Sequence, residues 1–336
     1  MQKTTIPRRS YGWWSRTDVA PERTAPMKWS IVVLTLILAG VPANVPTETR
    51  ASAATPAAMA GEEYVANAAE FVEAANWEEM QEVTVELNEF SFTPGELTFE
   101  AGVPYELKLR NVGQEKHYFT AHEFYRSVAT RKAETEQSEV KVPYFTAIEV
   151  YPGQEVEFYF IPVLPGSFEL FCEIEGHADA GMVGTITVTG DAPTAPAPVM
   201  AKVADGEWVQ DAADRVASAD WDAMETVSVE LGEYYFAPEV ITLQVDQPYT
   251  LELKNAGELK HEFTADAFYR SVAFRKAQDT AGEYKGPLPS EIEVFAGQQT
   301  DLYLIPTEVG EYELVCEIEG HLEAGMVGKI VVVSGS

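Results

Sequence analysis

Two sets of side chains that could bind a metal ion recur in this chain at a fixed offset. Each set holds two histidines, one cysteine and one methionine. The first set is His117, Cys172, His177 and Met182. The counterparts, each 144 positions later, are His261, Cys316, His321 and Met326. Two imidazoles, a thiolate and a weaker thioether are the ligands of mononuclear electron-transfer copper sites. The sequence therefore predicts two copper ions, one in each repeat.

Three of the four ligands in each set lie on one loop, with the spacing Cys-x4-His-x4-Met. A predicted strand ends at Cys172 and the next begins at Gly184, so a short loop can direct three side chains at one point. Gly176 and Gly181 allow close turns beside the loop histidine. His117 lies 55 residues before Cys172 and must come from a different strand end.

Other metal centres fit these ligands less well. A thioether is a poor zinc ligand, and no fourth nitrogen or thiolate is present for a structural zinc site. The binuclear copper site of respiratory oxidases needs two cysteines in one loop, whereas each loop here has one. A lone cysteine or methionine is usually core filler, but two complete sets in the same order favour metal binding.

The chain is strongly acidic. Its 336 residues include 23 basic and 54 acidic side chains, a formal net charge of −31. This charge would repel nucleic acid and anionic membrane surfaces, so neither is an expected partner. It could attract a basic redox protein, such as a basic cytochrome, or simply keep the protein soluble in a salty medium. A disulfide between the two cysteines is disfavoured because each occupies the same place in its own repeat.

Residues 1–53 are predicted to be a signal peptide or an N-terminal anchor. Ile31–Val41 is an apolar run of eleven residues, the length of a signal-peptide core and short for a membrane span. Ala51–Ala53 offers small residues for cleavage, and a true start at Met27 would give a compact signal peptide. A cleaved protein would be periplasmic or extracellular. An uncleaved segment would anchor it to the membrane.

The remaining chain divides into two units, 62–190 and 206–334, joined by a linker rich in Pro and Ala at 191–205. Each unit is predicted to begin with a short amphipathic helix, placed at 62–79 in the first. Seven or so short alternating strands follow, separated by turns, which indicates an antiparallel β-sandwich. Phe124–Ala133 looks helical and would form an insertion between the first histidine and the next strand.

On this ligand motif and element pattern, each unit resembles a cupredoxin, the family that contains plastocyanin, azurin, auracyanin and rusticyanin. The ligand spacing is most similar to the auracyanin and rusticyanin type, and the resemblance covers residues 80–190 and 224–334. It implies an all-β chain of two tandem Greek-key β-sandwiches. It also implies that the two histidines and the cysteine are equatorial type 1 copper ligands, with Met182 and Met326 axial.

The resemblance further implies that electrons leave through the loop histidine, which usually lies in an apolar patch. Here acidic side chains follow the loop cysteines, such as Glu173 and Glu317, and this is a departure from the family pattern. Copper nitrite reductases and multicopper oxidases also combine such domains, but they need additional histidine-bound copper. Only His122 remains after eight ligands are assigned, and its counterpart is Asp266. His122 is therefore predicted to lie on the surface, and the protein is not expected to be an enzyme.

Two functions remain open from the sequence. The favoured one is an exported electron carrier with one copper in each domain, cycling between Cu(II) and Cu(I). The alternative is an extracytoplasmic protein that binds, buffers or delivers copper.

Overall fold

A computed structural model describes residues 63–202 and 208–335 of the chain. The predicted signal peptide or anchor at 1–53 lies outside the described residues. No helix within the described ranges is long and apolar enough to cross a bilayer.

The first repeat consists of short strands and two short helices. Its strands are β1 (Glu63–Val65), β2 (Gln81–Asn88), β3 (Ser91–Thr93), β4 (Glu96–Glu100), β5 (Tyr105–Asn111), β6 (His117–Phe119), β7 (Val128–Glu134), β8 (Ser138–Lys141), β9 (Ala147–Val150), β10 (Glu155–Pro162), β11 (Gly166–Phe171) and β12 (Val183–Thr189). Its helices are α1 (Ala68–Ala74) and α2 (His122–Ser127), with a 3₁₀ turn at Trp77–Glu79. β13 (Met200–Lys202) belongs to the linker.

The second repeat has the same plan. Its strands are β14 (Glu225–Gly232), β15 (Tyr235–Ala237), β16 (Val240–Gln244), β17 (Tyr249–Asn255), β18 (His261–Phe263), β19 (Val272–Gln278), β20 (Gly282–Lys285), β21 (Glu291–Val294), β22 (Gln299–Pro306), β23 (Gly310–Val315) and β24 (Val327–Val333). Its helices are α3 (Ala212–Ser218) and α4 (Asp266–Tyr269), with a 3₁₀ turn at Trp221–Ala223.

Each repeat is a sandwich of two sheets. In the first repeat one sheet has the order β3-β2-β5-β10-β7-β8, and the other is β11-β12-β4. A backbone bridge between Thr120 and Phe171 connects β6 to the second sheet, and β6 in turn pairs with β9. The alternating pattern of these strands places one face of each sheet in a common core. The prediction of an all-β chain with two tandem sandwiches is confirmed. The sheets are mixed and not purely antiparallel as predicted, because β2 pairs parallel with β5 and β12 pairs parallel with β4.

Both predicted helical segments are shorter in the structure than in the sequence prediction. The first helix spans only Ala68–Ala74, and Val65 lies in strand β1. The insertion predicted at Phe124–Ala133 is helical only to Ser127, and β7 begins at the next residue. The prediction was wrong there because pairing of β7 with β10 outweighs the local helical pattern.

Strands also pair between the two repeats. β8 pairs antiparallel with β21, placing Glu139 opposite Glu293. β9 pairs with β20 in the equivalent register, placing Glu149 opposite Glu283. We call these two pairings the seams, and through them a sheet of each repeat continues into the other repeat. The sequence predicts neither strand β8 nor these partners, since alternation of side chains does not specify which edge a strand meets.

The linker also packs against the first repeat. β13 pairs antiparallel with β1, so that Met200 lies opposite Val65. The Asn67 side chain accepts a hydrogen bond from the Val199 N–H at 2.8 Å and donates one to the Ala197 carbonyl at 3.0 Å. This part of the linker is therefore fixed to the first sandwich.

Candidate metal centres

The first predicted ligand set converges at one end of the first sandwich. His117 is the first residue of β6, and Cys172 follows directly after β11. One ligand atom from each of His117, Cys172 and His177 lies within 4.8 Å of the other two. All three side chains are buried, with Cys172 and His117 fully so. The second set, His261, Cys316 and His321, converges in the same way.

The methionines are held beside these clusters by backbone hydrogen bonds. The Cys172 N–H donates to the Met182 carbonyl at 3.1 Å, and the Met182 N–H donates to the His177 carbonyl at 2.9 Å. The same two bonds join Cys316, Met326 and His321, at 3.3 Å and 3.0 Å. Both methionine side chains are fully buried. The structure thus brings all eight predicted residues to two places.

Glycines in the left-handed region make this loop closure possible. Gly176 has φ +84° and Gly181 φ +111°, on either side of the loop histidine. Gly320 and Gly325 repeat this at +84° and +99°. A side chain at these positions would strain the backbone, because only glycine adopts such angles freely.

The buried polar atoms of each cluster fit a cation. Both ring nitrogens of His117, and both of His261, are buried without a hydrogen-bond partner among the described residues. Burial and the nearby His177 lower the pKa of His117, which favours the neutral ring that a metal needs. Burial raises the pKa of Cys172 and of Cys316. Buried imidazole nitrogens and a cysteine sulfur are the donor atoms of a site that copper would complete.

The cysteine sulfurs receive one hydrogen bond each from the strand that carries the distant histidine. The Tyr118 N–H donates to Cys172 Sγ at 3.3 Å, and the Glu262 N–H donates to Cys316 Sγ at 3.3 Å. Such bonds orient a metal-bound thiolate and reduce its donor strength. Sequence reasoning missed these two residues, although each directly follows a predicted ligand.

An aromatic ring covers each loop histidine. The Phe90 ring meets the His177 ring edge-on at 5.3 Å, and Tyr234 meets His321 in the same way at 5.3 Å. Both aromatic residues have positive φ, 65° and 66°, which is uncommon for a bulky side chain. Each histidine is left 5% exposed. The loop histidine is therefore the ligand that comes nearest to solvent at the turn.

A third group of possible ligands lies at one seam. Carboxylate oxygens of Glu262, Glu291 and Glu293 come within 4.8 Å of one another. Lysines pair with two of the three: Lys141 Nζ lies 2.5 Å from Glu291, and Lys260 Nζ lies 2.8 Å from Glu293. This group reads as a buried ion-pair network. His122, the one remaining histidine, is exposed as predicted.

A β-sandwich that gathers a strand-borne histidine with a cysteine and a histidine from one loop has the architecture of the cupredoxin class. The model of the cupredoxin-like domain family matches residues 64–188 and 212–332, so the chain belongs to that family. It is similar to the copper-resistant cuproprotein CopI of Rubrivivax gelatinosus, with 31% identity over 33% of this chain and 67% of that protein. CopI of Pseudomonas aeruginosa is 25% identical over 33% of this chain and 77% of that protein.

Solved structures show weaker similarity. The copper-containing nitrite reductase of Thermus scotoductus SA-01 is 16% identical, with a TM-score of 0.28, over 75% of this chain and 61% of that one. Auracyanin B is 17% identical, with a TM-score of 0.25, over 34% of this chain and 93% of its own. Similarity at this level carries no argument about function.

Proposed function

We propose that the protein is an electron-transfer protein that holds one type 1 copper ion in each repeat and cycles it between Cu(II) and Cu(I). The observation that supports this best is the assembled, buried His-Cys-His cluster, present twice. Side chains held in place before the metal arrives need little rearrangement when its oxidation state changes. His117, Cys172 and His177 would bind the first ion, with the Met182 thioether as a weaker fourth ligand. Their counterparts would bind the second.

The surrounding residues have defined parts in this proposal. Copper supplies the redox couple when it is bound. The Tyr118 and Glu262 N–H groups hold the two sulfurs in orientation, while the sandwich core excludes water from the ligands. The rings of Phe90 and Tyr234 limit the motion of the loop histidines, which also favours a fixed geometry.

Catalysis is not part of the proposal. Copper nitrite reductases and multicopper oxidases need further histidines, and this chain has one beyond the two ligand sets. His122 lies on α2 and is exposed, and the equivalent position is Asp266. A single exposed imidazole is insufficient for a second type of copper centre.

A second candidate function is copper handling. Both CopI proteins similar to this chain are described as copper-resistant cuproproteins, which favours a protein that binds the ion in order to sequester or deliver it. The burial of the ligands favours the electron carrier, since a delivery site must give up its ion to a partner. Under either function the copper sites would lie outside the cytoplasm, as the apolar run in residues 1–53 predicts.

Copper reconstitution tests the proposal directly. The purified protein should bind two equivalents of Cu(II) and show an intense thiolate-to-copper visible band. Cys172→Ser and Cys316→Ser should each remove about half of the band, and the double variant all of it. Reversible voltammetry should then show one-electron couples. A protein that binds Cu(II) without colour would contradict an electron-transfer role.

The handling function predicts a different result. Rapid loss of Cu(I) to a competing chelator, without loss of fold, would support delivery or buffering. A carrier should keep its copper through repeated oxidation and reduction. An independent measurement is the growth, at raised copper concentrations, of cells that lack the protein.

A further inference from the structure

The residue that follows the strand-borne histidine differs between the two repeats. In the first repeat it is Tyr118, whose hydroxyl donates to Glu283 Oε1 at 2.7 Å. Lys285 Nζ lies 4.2 Å from the centroid of the Tyr118 ring. In the second repeat it is Glu262, whose Oε2 accepts a hydrogen bond of 3.0 Å from the Glu317 N–H. The N–H group that donates to the cysteine sulfur therefore belongs to a phenol-bearing residue at the first site and to an acidic residue at the second.

A second acidic residue is present at only one seam. Glu291 lies in β21, and its carboxylate groups with those of Glu262 and Glu293, with oxygens within 4.8 Å of one another. The residue equivalent to Glu291 in the first repeat is Ala147, which is fully buried. Six other pairs of equivalent side chains at the seams carry the same charge in both repeats: Lys116 and Lys260, Lys132 and Lys276, Lys141 and Lys285, Glu139 and Glu283, Glu149 and Glu293, and Glu173 and Glu317.

The two matched groups of side chains differ in net charge. The group beside Cys316 consists of Glu262, Glu291, Glu293, Lys141 and Lys260, and its counterpart beside Cys172 consists of Tyr118, Ala147, Glu149, Lys285 and Lys116. When all their acidic and basic side chains are ionised, three carboxylates and two lysines give −1 at the second site, and one carboxylate and two lysines give +1 at the first. Because Glu291 supplies a carboxylate of its own, the sign of this difference does not depend on the ionisation of Glu262.

These carboxylates lie where water screens them weakly. Glu262 is 8% exposed and Glu293 is 3% exposed, and the Glu291 side chain is 15% exposed. Negative charge near a copper ion stabilises Cu(II) more than Cu(I), since Cu(II) carries the larger positive charge. Charged and hydrogen-bonding groups around the ligands thereby change the reduction potential of a metal site. The second seam therefore favours the oxidised ion at the second site.

One carboxylate at the first site acts in the opposite sense. Glu115 Oε2 lies 3.3 Å from His177 Nε2, and the equivalent residue at the second site is Leu259. The Glu115 side chain is 64% exposed, so water screens its charge. At equal distance, a charge interaction in water is about fourfold weaker than one at a partly buried position. The buried carboxylates Glu262 and Glu291 should therefore have the larger effect.

We propose that Glu262 and Glu291 give the second copper site a lower reduction potential than the first, so that an electron received by the second site passes to the first. This internal transfer moves one electron and leaves Cu(II) at the second site and Cu(I) at the first. The proposal rests on the proposed electron-transfer function and gives the two sites different roles, the second as internal donor and the first as internal acceptor. Glu262 and Glu291 act through their charge and are not ligands.

Single-site proteins provide the test. Cys172→Ser retains the second site and Cys316→Ser retains the first, and each variant is loaded with copper. Redox titration of the visible band should give the lower potential for the second site. The equilibrium constant for passing an electron from the second site to the first should be at least about 10, which corresponds to about 59 mV for one electron. Competition with chelators should also show a higher ratio of Cu(II) to Cu(I) affinity at the second site.

Exchange variants assign the difference to these residues. Glu291→Ala introduces the residue of the first repeat, and Glu262→Gln removes a charge but keeps an oxygen that can accept the Glu317 N–H. Each should raise the potential of the second site. Glu115→Leu introduces the residue of the second repeat and should raise the potential of the first site by less. Glu311→Gln is the control: it removes an exposed carboxylate near the start of β23, and it should leave both potentials unchanged.

The outcomes separate the two proposals. Absence of the visible band in wild type contradicts the electron-transfer function itself. Intact bands with equal potentials, or with the higher potential at the second site, overturn the inference about Glu262 and Glu291 alone. A potential of the second site that neither Glu291→Ala nor Glu262→Gln raises has the same meaning. Should Glu291→Ala fail to fold, Glu262→Gln, which keeps the size of the side chain, decides the question.

Discussion

The Thr135 hydroxyl donates a hydrogen bond of 2.7 Å to the carboxylate of Asp279, and these two residues occupy the same position in the two repeats. A residue that contacts its own counterpart lies beside the axis relating the two copies. The seams agree with this, because Glu139 opposite Glu293 and Glu283 opposite Glu149 are the same pair under the 144-residue offset. The repeats therefore meet as the halves of a two-fold dimer do, with self-complementary edges.

Removing the Asp279 carboxylate should destabilise the whole described unit. It accepts hydrogen bonds from Thr135, Ser138, and the N–H groups of Ala281 and Gly282, and it is buried. Asp279→Ala leaves these donors without their partner, and we expect a loss of about 3 kcal/mol. Chemical denaturation of the metal-free protein measures this loss of unfolding free energy. The exposed Asp191→Ala serves as the control and should change stability little; equal effects would contradict the assignment.

A side chain at Gly282 should disturb the seam between β9 and β20 and leave the other seam unchanged. A Cβ there would meet the Glu149 carbonyl of β9, the strand that pairs with the one bearing His117. Gly282→Ala should therefore cost about 2 kcal/mol and weaken copper binding at the first site more than at the second.

The equivalent position in the first repeat provides the matched control for this seam. Ser138 already carries a Cβ, so Ser138→Ala adds no atom and loses one hydrogen bond to Asp279. Copper titration of both variants, followed by the visible band, compares them. A Gly282→Ala protein that binds two equivalents with unchanged affinity would show that the seam does not position His117.

Acid should weaken the seams through two carboxylates. Burial opposes ionisation of Glu139, but Lys132 at 2.6 Å outweighs it, and the pKa falls below the usual 4.5. Glu283 behaves likewise with Lys276 at 2.5 Å. A lowered folded-state pKa gives stability that is complete above 4.5 and is lost as pH falls through the lowered value.

Glutamine variants isolate this contribution. Glu139→Gln and Glu283→Gln should reduce the slope of unfolding free energy against pH below 4.5 in the metal-free protein. Their neighbours Glu149 and Glu293 have pKa values raised by burial and act in the opposite sense, so wild type alone is not informative. Identical slopes in wild type and variants would refute the linkage.

Each of two buried asparagines should affect copper affinity at one of the two sites. Asn111 donates to the Glu115 carbonyl at 2.7 Å and to the Val150 carbonyl at 2.8 Å, and accepts from the Gly113 N–H at 2.9 Å. Val150 pairs with His117, so this side chain fixes the strand beneath the first site. Asn111→Ala should cost about 2 kcal/mol and reduce copper affinity there.

Asn255 makes the same three bonds in the second repeat and serves as the reciprocal variant. Asn255→Ala should spare the first site and weaken the second. Copper titrations in the single-site backgrounds assign each effect. Losses of equal size at both sites from either variant would show a general loss of fold instead.

The ligand sets could be read from the sequence because metal chemistry restricts residue type and the repeat supplies each set twice. Several of the longer strands followed from alternation, as in β5 and β10, whereas β7 was predicted as helix and β8 was not predicted. The inter-repeat seams could not be predicted, since β8 and β9 are short segments and their sequences do not specify which strand pairs with them. Glu115 was also missed. It lies two residues before His117 but contacts His177, and only the folded turn brings those side chains together.

The seams have a consequence for how the two halves can vary. In a dimer of identical chains, every substitution at a two-fold interface appears on both sides. Here Tyr118 donates to Glu283 at 2.7 Å at one seam, whereas the equivalent position at the other carries Glu262, whose pKa burial and Glu291 raise to about 7. Because the two repeats belong to one chain, a substitution in one repeat is not repeated in the other. One scaffold can therefore hold two metal environments of different polarity at a constant separation.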